Sequence, residues 1–401
     1  MKFRKVRLCD LCSIVTDYVA NGSFKTLADK VKYLNEGYAR VIRLVDYNNK
    51  YSKKDSIWVS KEAYEFLKKS KLYGGEIVLT NVGANLGTVF IAPQLEYPTT
   101  LGPNAIMIKT NENDKYLYYW LKSKNGQNTI KSIVTGSAMP KFNKTDLKNI
   151  EIAIPCIEDQ GKIVEILSKI DKKIELNNKT NDNLFEMSVK LFNNFLNNNK
   201  DIENVKLKEC VERINTGADA IQRAPIVEYD TGIRCIRIGD MTNNRPYHCW
   251  GFTKMTEKDF ANYQLLKNDI VITRTAVNGL TYMITDEKNV VCNNGNIRLR
   301  VNKKFNPLYI YLYTKTKEFR NYIDRINSET SVRPNMKVEY LTDFSIKNLS
   351  LDNQNKICQI IQPLMTKIHK NITENHTLEQ MRDTLLPKLM NGEIDLDKIE
   401  I

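Results

Sequence analysis

The stretch IVEILSKIDKKIELNNKTNDNLFEMSVKLFNNF, residues 163–195, decides the architecture of this chain. Its key positions step by four and three through Ile163, Leu167, Ile170, Ile174, Asn177, Asn181, Leu184, Ser188, Leu191 and Phe195. That spacing lays all of them along one stripe of an α-helix, as in the seam of a coiled coil. The steps return 194 residues later in ICQIIQPLMTKIHKNITENHTLEQMRDTLLPKL, residues 357–389. There they read Ile357, Ile361, Leu364, Ile368, Asn371, Asn375, Leu378, Arg382, Leu385 and Leu389. Nine of the ten steps keep their chemical character, and the exception sets Ser188 against Arg382. A match of this length marks an internal duplication.

The repeat extends outward from the seams. Val6-Arg7-Leu8 pairs with Val205-Lys206-Leu207, Ile42-Arg43-Leu44-Val45-Asp46 with Ile236-Arg237-Ile238-Gly239-Asp240, and Glu76 to Thr80 with Asp269 to Thr273. Each pair reads as a short strand flanked by turns. Leu117-Tyr118-Tyr119-Trp120-Leu121 matches Leu308-Tyr309-Ile310-Tyr311-Leu312 as an aromatic helical segment, and Gly136 to Pro140 stands opposite Thr330 to Pro334. The offset drifts from 199 to 194, 193 and 191 through the globular part, then holds at 194 from Pro140 to Phe195. Loops absorb length changes that a packed seam cannot. The expected fold class is therefore α+β: two strand-rich modules, 1–157 and 200–351, alternating with two long helices, 158–199 and 352–390, the second followed by a tail to 401.

A helix of 33 residues is roughly 50 Å long at ~1.5 Å per residue, and its apolar stripe requires a partner. The other copy, packed antiparallel, supplies one, with a module at each end of the pair. Asn177 and Asn181 would then meet Asn371 and Asn375 in mid-seam and fix the register; alternatively, these asparagines flank a break between shorter helices. Asn197 to Asp201 forms the polar linker, and Gly392 is placed to stop the second helix.

Bulk properties narrow the class. A chain of 401 residues with 42% hydrophobic content can bury more than one core. A net charge of +13 points to a polyanionic partner such as nucleic acid, or else to a basic solvated surface. No apolar run reaches the length of a membrane span, and MKFRKVRLCD lacks a signal core, so a cytoplasmic location without membrane attachment is expected. The eight cysteines are scattered among apolar positions and read as reduced thiols.

At Thr135-Gly136-Ser137-Ala138-Met139-Pro140-Lys141-Phe142, then Asp146 to Ile150, Ile154-Pro155, Asp159-Gln160 and the helix from Ile163, the sequence resembles a type I restriction-modification specificity subunit. The closing run Leu385-Leu386-Pro387-Lys388-Leu389-Met390-Asn391-Gly392-Glu393-Ile394 is similar to that family's usual end. The second half departs from the pattern, with Asn353-Gln354 for Asp159-Gln160 and Leu349 for Pro155. The resemblance implies two target recognition domains, 1–157 and 200–351, that read the halves of a bipartite double-stranded DNA site. It implies a non-catalytic subunit that positions two adenine-N6 methyltransferase subunits, joined in restriction by two ATP-dependent motor-nuclease subunits. S-adenosylmethionine, ATP and magnesium are then expected on those partners, with no cofactor in this chain. Readings from other classes are a coiled-coil protein scaffold and a diverged DNA modification enzyme.

The residues agree with a chain that has no catalytic site. The nearest approach to an adenine methyltransferase loop, Asn306-Pro307-Leu308-Tyr309, lacks the second proline and reads as a turn opening a helix. Gly83-Ala84-Asn85-Leu86-Gly87 lacks the lysine of a phosphate loop and reads as a turn after a strand. Cys9-x2-Cys12 has no second pair, and His248, His369 and His376 are scattered, so no metal site is expected. No acidic cluster of the kind that holds magnesium recurs in both halves.

Base edges are read by arginine on guanine and by amides on adenine, while lysine and arginine hold phosphates. In the first module the candidates are Asn81, Asn85, Lys141 and Asn143; in the second they are Arg274, Asn278, Arg333 and Asn335. Arg43 and Arg237, read at equivalent strand positions, are candidates for a shared phosphate contact. Asn81 opposes Arg274 and Lys141 opposes Asn335, so the modules are expected to read different half-sites; solvation of turns is the plainer role for the same side chains. The helix pair then acts as a ruler. Adding one heptad lengthens it by about 10 Å, roughly three base-pair rises. Single-molecule mapping of methylated sites should then show a longer unread spacer, and an unchanged spacer would refute the ruler.

Overall fold

The computed structural model describes residues 1–401 except 54, 137, 200, 330–334 and 397–401. Both seams form single unbroken helices, a central one over Ile157–Asn197 and a distal one over Leu351–Met390. The asparagines therefore sit inside continuous helices rather than beside a break. All twenty seam positions are buried or half-buried, as a shared face requires.

Contacts divide the chain into two compact units, Met1–Lys172 with Leu378–Ile401, and Lys173–Thr377. This spatial division cuts through both helices. The reason lies in the cores. In the first unit Ile163 and Leu167 at the start of the central helix pack with Leu386 and Leu389 at the end of the distal helix. They join Leu8, Ile77, Leu79, Ile106, Ile108 and Trp120. In the second unit the roles reverse: Phe192 and Leu196 from the end of the central helix meet Ile357 and Ile361 from the start of the distal one, over Ile270, Ile272, Tyr309 and Tyr313. A fully buried Leu or Ile of this kind contributes about 1.5–3 kcal/mol, so each core depends on both helices.

Each unit builds the same sheets. In the first, Cys12–Asp17, Ala105–Thr110, Ile77–Thr80 and Val89–Ile91 form an antiparallel sheet in that order. Its counterpart is Val211–Thr216, Asn296–Val301, Ile270–Thr273 and Thr281–Met283. A second sheet pairs Ala39–Ile42 in parallel with Thr99–Leu101, matched by Arg234–Ile236 with Val290–Cys292. Arg4–Arg7 with Glu151–Ile154, and Asn204–Lys206 with Ser345–Lys347, make two-stranded ribbons beside the helix starts. The units differ where the first has the helix Phe24–Lys30 and the second an extra strand, Ile226–Val227.

Two strand readings need correction. The strands stop at Ile42 and Ile236, and Leu44–Asn48 and Ile238–Thr242 are short helices. The backbone N–H of Arg43 donates to Asp46 Oδ2 at 3.1 Å, and that of Arg237 to Asp240 Oδ2 at 2.9 Å. A carboxylate three residues on that takes up the capping N–H starts a helix. Similarly, Leu8 and Leu207 open one-turn helices where they were read as strand ends. The distal helix ends as expected at Gly392 (φ +73°). The N–H of Glu393 reaches the Lys388 carbonyl and that of Gly392 the Leu389 carbonyl, a Schellman closure. A Cβ on Gly392 would also meet Phe3 at 2.7 Å.

In the second unit the helices run antiparallel, joined by amides. Asn177 Nδ2 donates to Asn375 Oδ1 at 2.9 Å and to Glu374 Oε2 at 2.9 Å, and Asn375 Nδ2 donates to Asn178 Oδ1 at 2.9 Å. The symmetric partner bond runs from Asn371 Nδ2 to Asn181 Oδ1 at 2.8 Å. In the first unit Arg382 donates to Asp171 at 2.9 Å, whose other oxygen accepts from Tyr119 at 2.7 Å. This accounts for the one unmatched step, because the equivalent Ser188 is fully buried and donates to the Leu184 carbonyl instead.

Asn375→Ala should cost about 1–3 kcal/mol by stranding buried amide groups. Replacing Asn177 and Asn375 together with leucine should recover most of that loss. Urea denaturation of the two variants would test the coupling, which is absent if the paired replacement is no more stable than the single one.

Candidate nucleic-acid interface

In the first unit the loop after strand Ile77–Thr80 and the turn from Thr135 to Lys141 close onto one another. The N–H of Gly83 donates to the Pro140 carbonyl at 3.0 Å, and that of Phe142 to the Asn81 carbonyl at 3.2 Å. Val82 and Thr135 each bridge to Lys141. Asn81, Asn85, Lys141 and Asn143 thus belong to one joined loop cluster. Gly83 and Gly87, at φ +95° and +86°, allow the tight course of the first loop.

The second unit repeats the junction with other side chains. The N–H of Met336 donates to the Arg274 carbonyl at 2.8 Å, and Thr275 bridges to Asn335. Arg274, Asn278 and Asn335 belong to these loops, while Arg333 lies outside the described residues. Asn81 Nδ2 donates to the Phe142 carbonyl at 3.1 Å, and Arg274 Nε makes the equivalent bond to the Met336 carbonyl at 2.9 Å. The matched positions therefore share a bracing bond between the loops. Arg274 extends it with bonds to the Asn294 carbonyl at 3.1 Å and to Asn335 Oδ1 at 2.7 Å.

The remaining candidates separate into bound and exposed side chains. Asn143 caps the helix Lys144–Lys148, accepting from the Asp146 N–H at 2.8 Å. Asn278 donates to Asn327 at 2.7 Å. Asn85, Lys141 and Asn335 are exposed. The Oδ1 atoms of Asn81 and Asn278 are buried without a hydrogen-bond partner.

Arg43 and Arg237 lie just past their strands, as N-caps of short helices. Arg43 Nε donates to Asp46 at 2.8 Å, and the same carboxylate accepts from fully buried Arg40 at 3.0 Å. Arg237 donates to the carbonyls of Cys235 at 3.2 Å and Gly251 at 3.4 Å. In Arg43 these bonds employ much of the donor capacity assigned to phosphate, whereas Arg237 bonds through Nη1 and its Nη2 is buried with no hydrogen-bond partner. Sequence reading passed over Asp46 and Asp240, although the Arg-x-x-Asp spacing in both halves announces the cap.

Burial raises the thiols of Cys12, Cys210 and Cys358 to about 12 and that of Cys235 to about 11, far from the range of a reactive thiolate. The scatter of His248 and His376 along the sequence is misleading, because the fold brings their rings together, 3.1 Å between centroids, with Cys249 alongside. Burial, then His376 and Arg234, lowers the His248 imidazole to about 4.

The model of the type I restriction modification DNA specificity domain matches this chain twice, over residues 2–185 and 199–380. The MjaIX specificity subunit of a type I restriction enzyme from Methanocaldococcus jannaschii is 26% identical over 356 residues, 81% of this chain and 79% of the relative. The MjaVIII specificity subunit from the same organism is 22% identical over 357 residues, covering 80% and 79% respectively. Among solved structures, the type I restriction-modification S subunit from M. genitalium superposes with a TM-score of 0.56 at 18% identity, across 97% of this chain and 96% of that one.

Proposed function

Because the chain belongs to the type I restriction-modification DNA specificity family, we propose that it is the non-catalytic subunit that reads a bipartite duplex target and positions two adenine methyltransferase subunits upon it. The observation that carries this reading is the duplicated loop junction. One backbone arrangement occurs in both units, yet Asn81 faces the role of Arg274 and Lys141 that of Asn335. Equal frames with unequal side chains suit two different half-sites. The surplus of basic residues, 60 against 47 acidic, supplies the attraction to phosphates that any reader of duplex DNA needs.

On this reading the side chains divide by task. Lys141 and Asn85, exposed beside the first junction, are the contacts to DNA there. Arg274 acts by bracing its loop as well as by presenting its guanidinium, whose Nη2 is shared with Asn335. Arg43 and Arg237 are positioning residues, since their partners lie within their own unit. S-adenosylmethionine, ATP and magnesium belong to the methyltransferase and motor-nuclease partners, and the matched helices offer those partners two equivalent faces.

The test is to co-express the chain with its methyltransferase partner and map modified adenines. One motif with two fixed parts and an unread spacer is expected, and a single contiguous motif would overturn the reading. Arg274→Ala should relax one half of the motif and leave the other intact; unchanged sequence and affinity would remove Arg274 from the interface. Lys141→Ala should weaken binding to all sequences alike and lower the log–log salt slope by about 1.

A further inference from the structure

His248, Cys249 and His376 form a cluster that the reading of DNA does not use. His248 and Cys249 lie on the short turn Tyr247–Cys249 of the second unit's globular part, and His376 on the distal helix, one residue beyond Asn375 of the amide network. One ligand atom from each of the three residues lies within 4.8 Å of the others. Around a tetrahedral zinc, with Zn–N near 2.0–2.1 Å and Zn–S near 2.3 Å, ligand atoms stand roughly 3.3–3.6 Å apart. Side-chain rotations are therefore enough to close this set.

We propose that these three side chains bind a divalent transition metal of the zinc class and clamp the turn of the second recognition module to the distal helix. Two imidazole nitrogens and one thiolate are the donors such an ion prefers, and they leave one tetrahedral position for water or another ligand. His248 Nε2 is buried with no hydrogen-bond partner, so that nitrogen is uncommitted beside the cluster. The two rings are in contact, tilted by 30° with centroids 3.1 Å apart, and must splay for their in-plane nitrogens to converge on one ion. Arg234, whose charge acts on His248, is a cation near the site, and the Cys249 thiolate would offset part of the charge the metal adds. The site belongs to one half only, because Asp182 takes the place of His376 in the repeat.

The test uses the full chain, reduced and stripped with chelator, titrated with cobalt(II). One equivalent should bind, giving tetrahedral visible bands and a thiolate-to-cobalt absorption in the near ultraviolet. Cys249→Ser should abolish the thiolate band, and His376→Ala should lower affinity at least about tenfold. His376→Gln serves if the alanine variant fails to fold by circular dichroism. Cys9→Ser with Cys12→Ser should change nothing. Absence of the thiolate band in folded chain, or its survival in Cys249→Ser, would overturn the proposal. Zinc should also raise the melting temperature of the parent chain, and an equal rise in Cys249→Ser would place the metal elsewhere.

Discussion

The amide pairing of Asn177 with Asn375 and of Asn181 with Asn371 is the constraint on which the rest of this structure depends. An apolar stripe alone would tolerate a slide of one heptad, because leucine and isoleucine pack against one another in several registers. Buried amides do not tolerate it, since each unpaired group costs about 1–3 kcal/mol. The two bonds are related by the internal symmetry of the repeat, so the arrangement that satisfies one satisfies the other. Once the register is set, each globular core receives the helix ends that complete it.

Above that shared frame, the units use the same backbone for different chemistry. The bracing bond to residue 142 or 336 survives an exchange of asparagine for arginine because both offer an N–H at the required place. What changes is the surplus: after the brace is made asparagine keeps one N–H, whereas arginine keeps four, some of which reach Asn294 and Asn335. A loop can thus change what it presents without changing how it is held. The matched helices have no such freedom, and the constant 194-residue offset along them reflects this.

The sequence disclosed some layers of this organisation better than others. The seams were legible because a four-and-three spacing has a single helical meaning, and even the partners of Asn177 and Asn181 could be inferred from symmetry. The ends of the strands at Ile42 and Ile236 were not, because a β-rich local composition is overridden by Asp46 and Asp240, which take the N–H of the residue three before them. Asn81 and Lys141 belong to loops that share a junction, yet spacing could not reveal that Asn81 turns its amide inward. The approach of His248 to His376 left no trace in sequence, for it depends on how a turn folds against a distant helix.

The reciprocal completion of the cores bears on how the chain folds. Leu386, Leu389, Met390 and Leu396 belong to the core of the unit that begins at Met1. The first unit's core is therefore incomplete until the distal helix has joined it. Burial of the first core is thereby coupled to formation of the distal helix, the element farthest from it along the sequence.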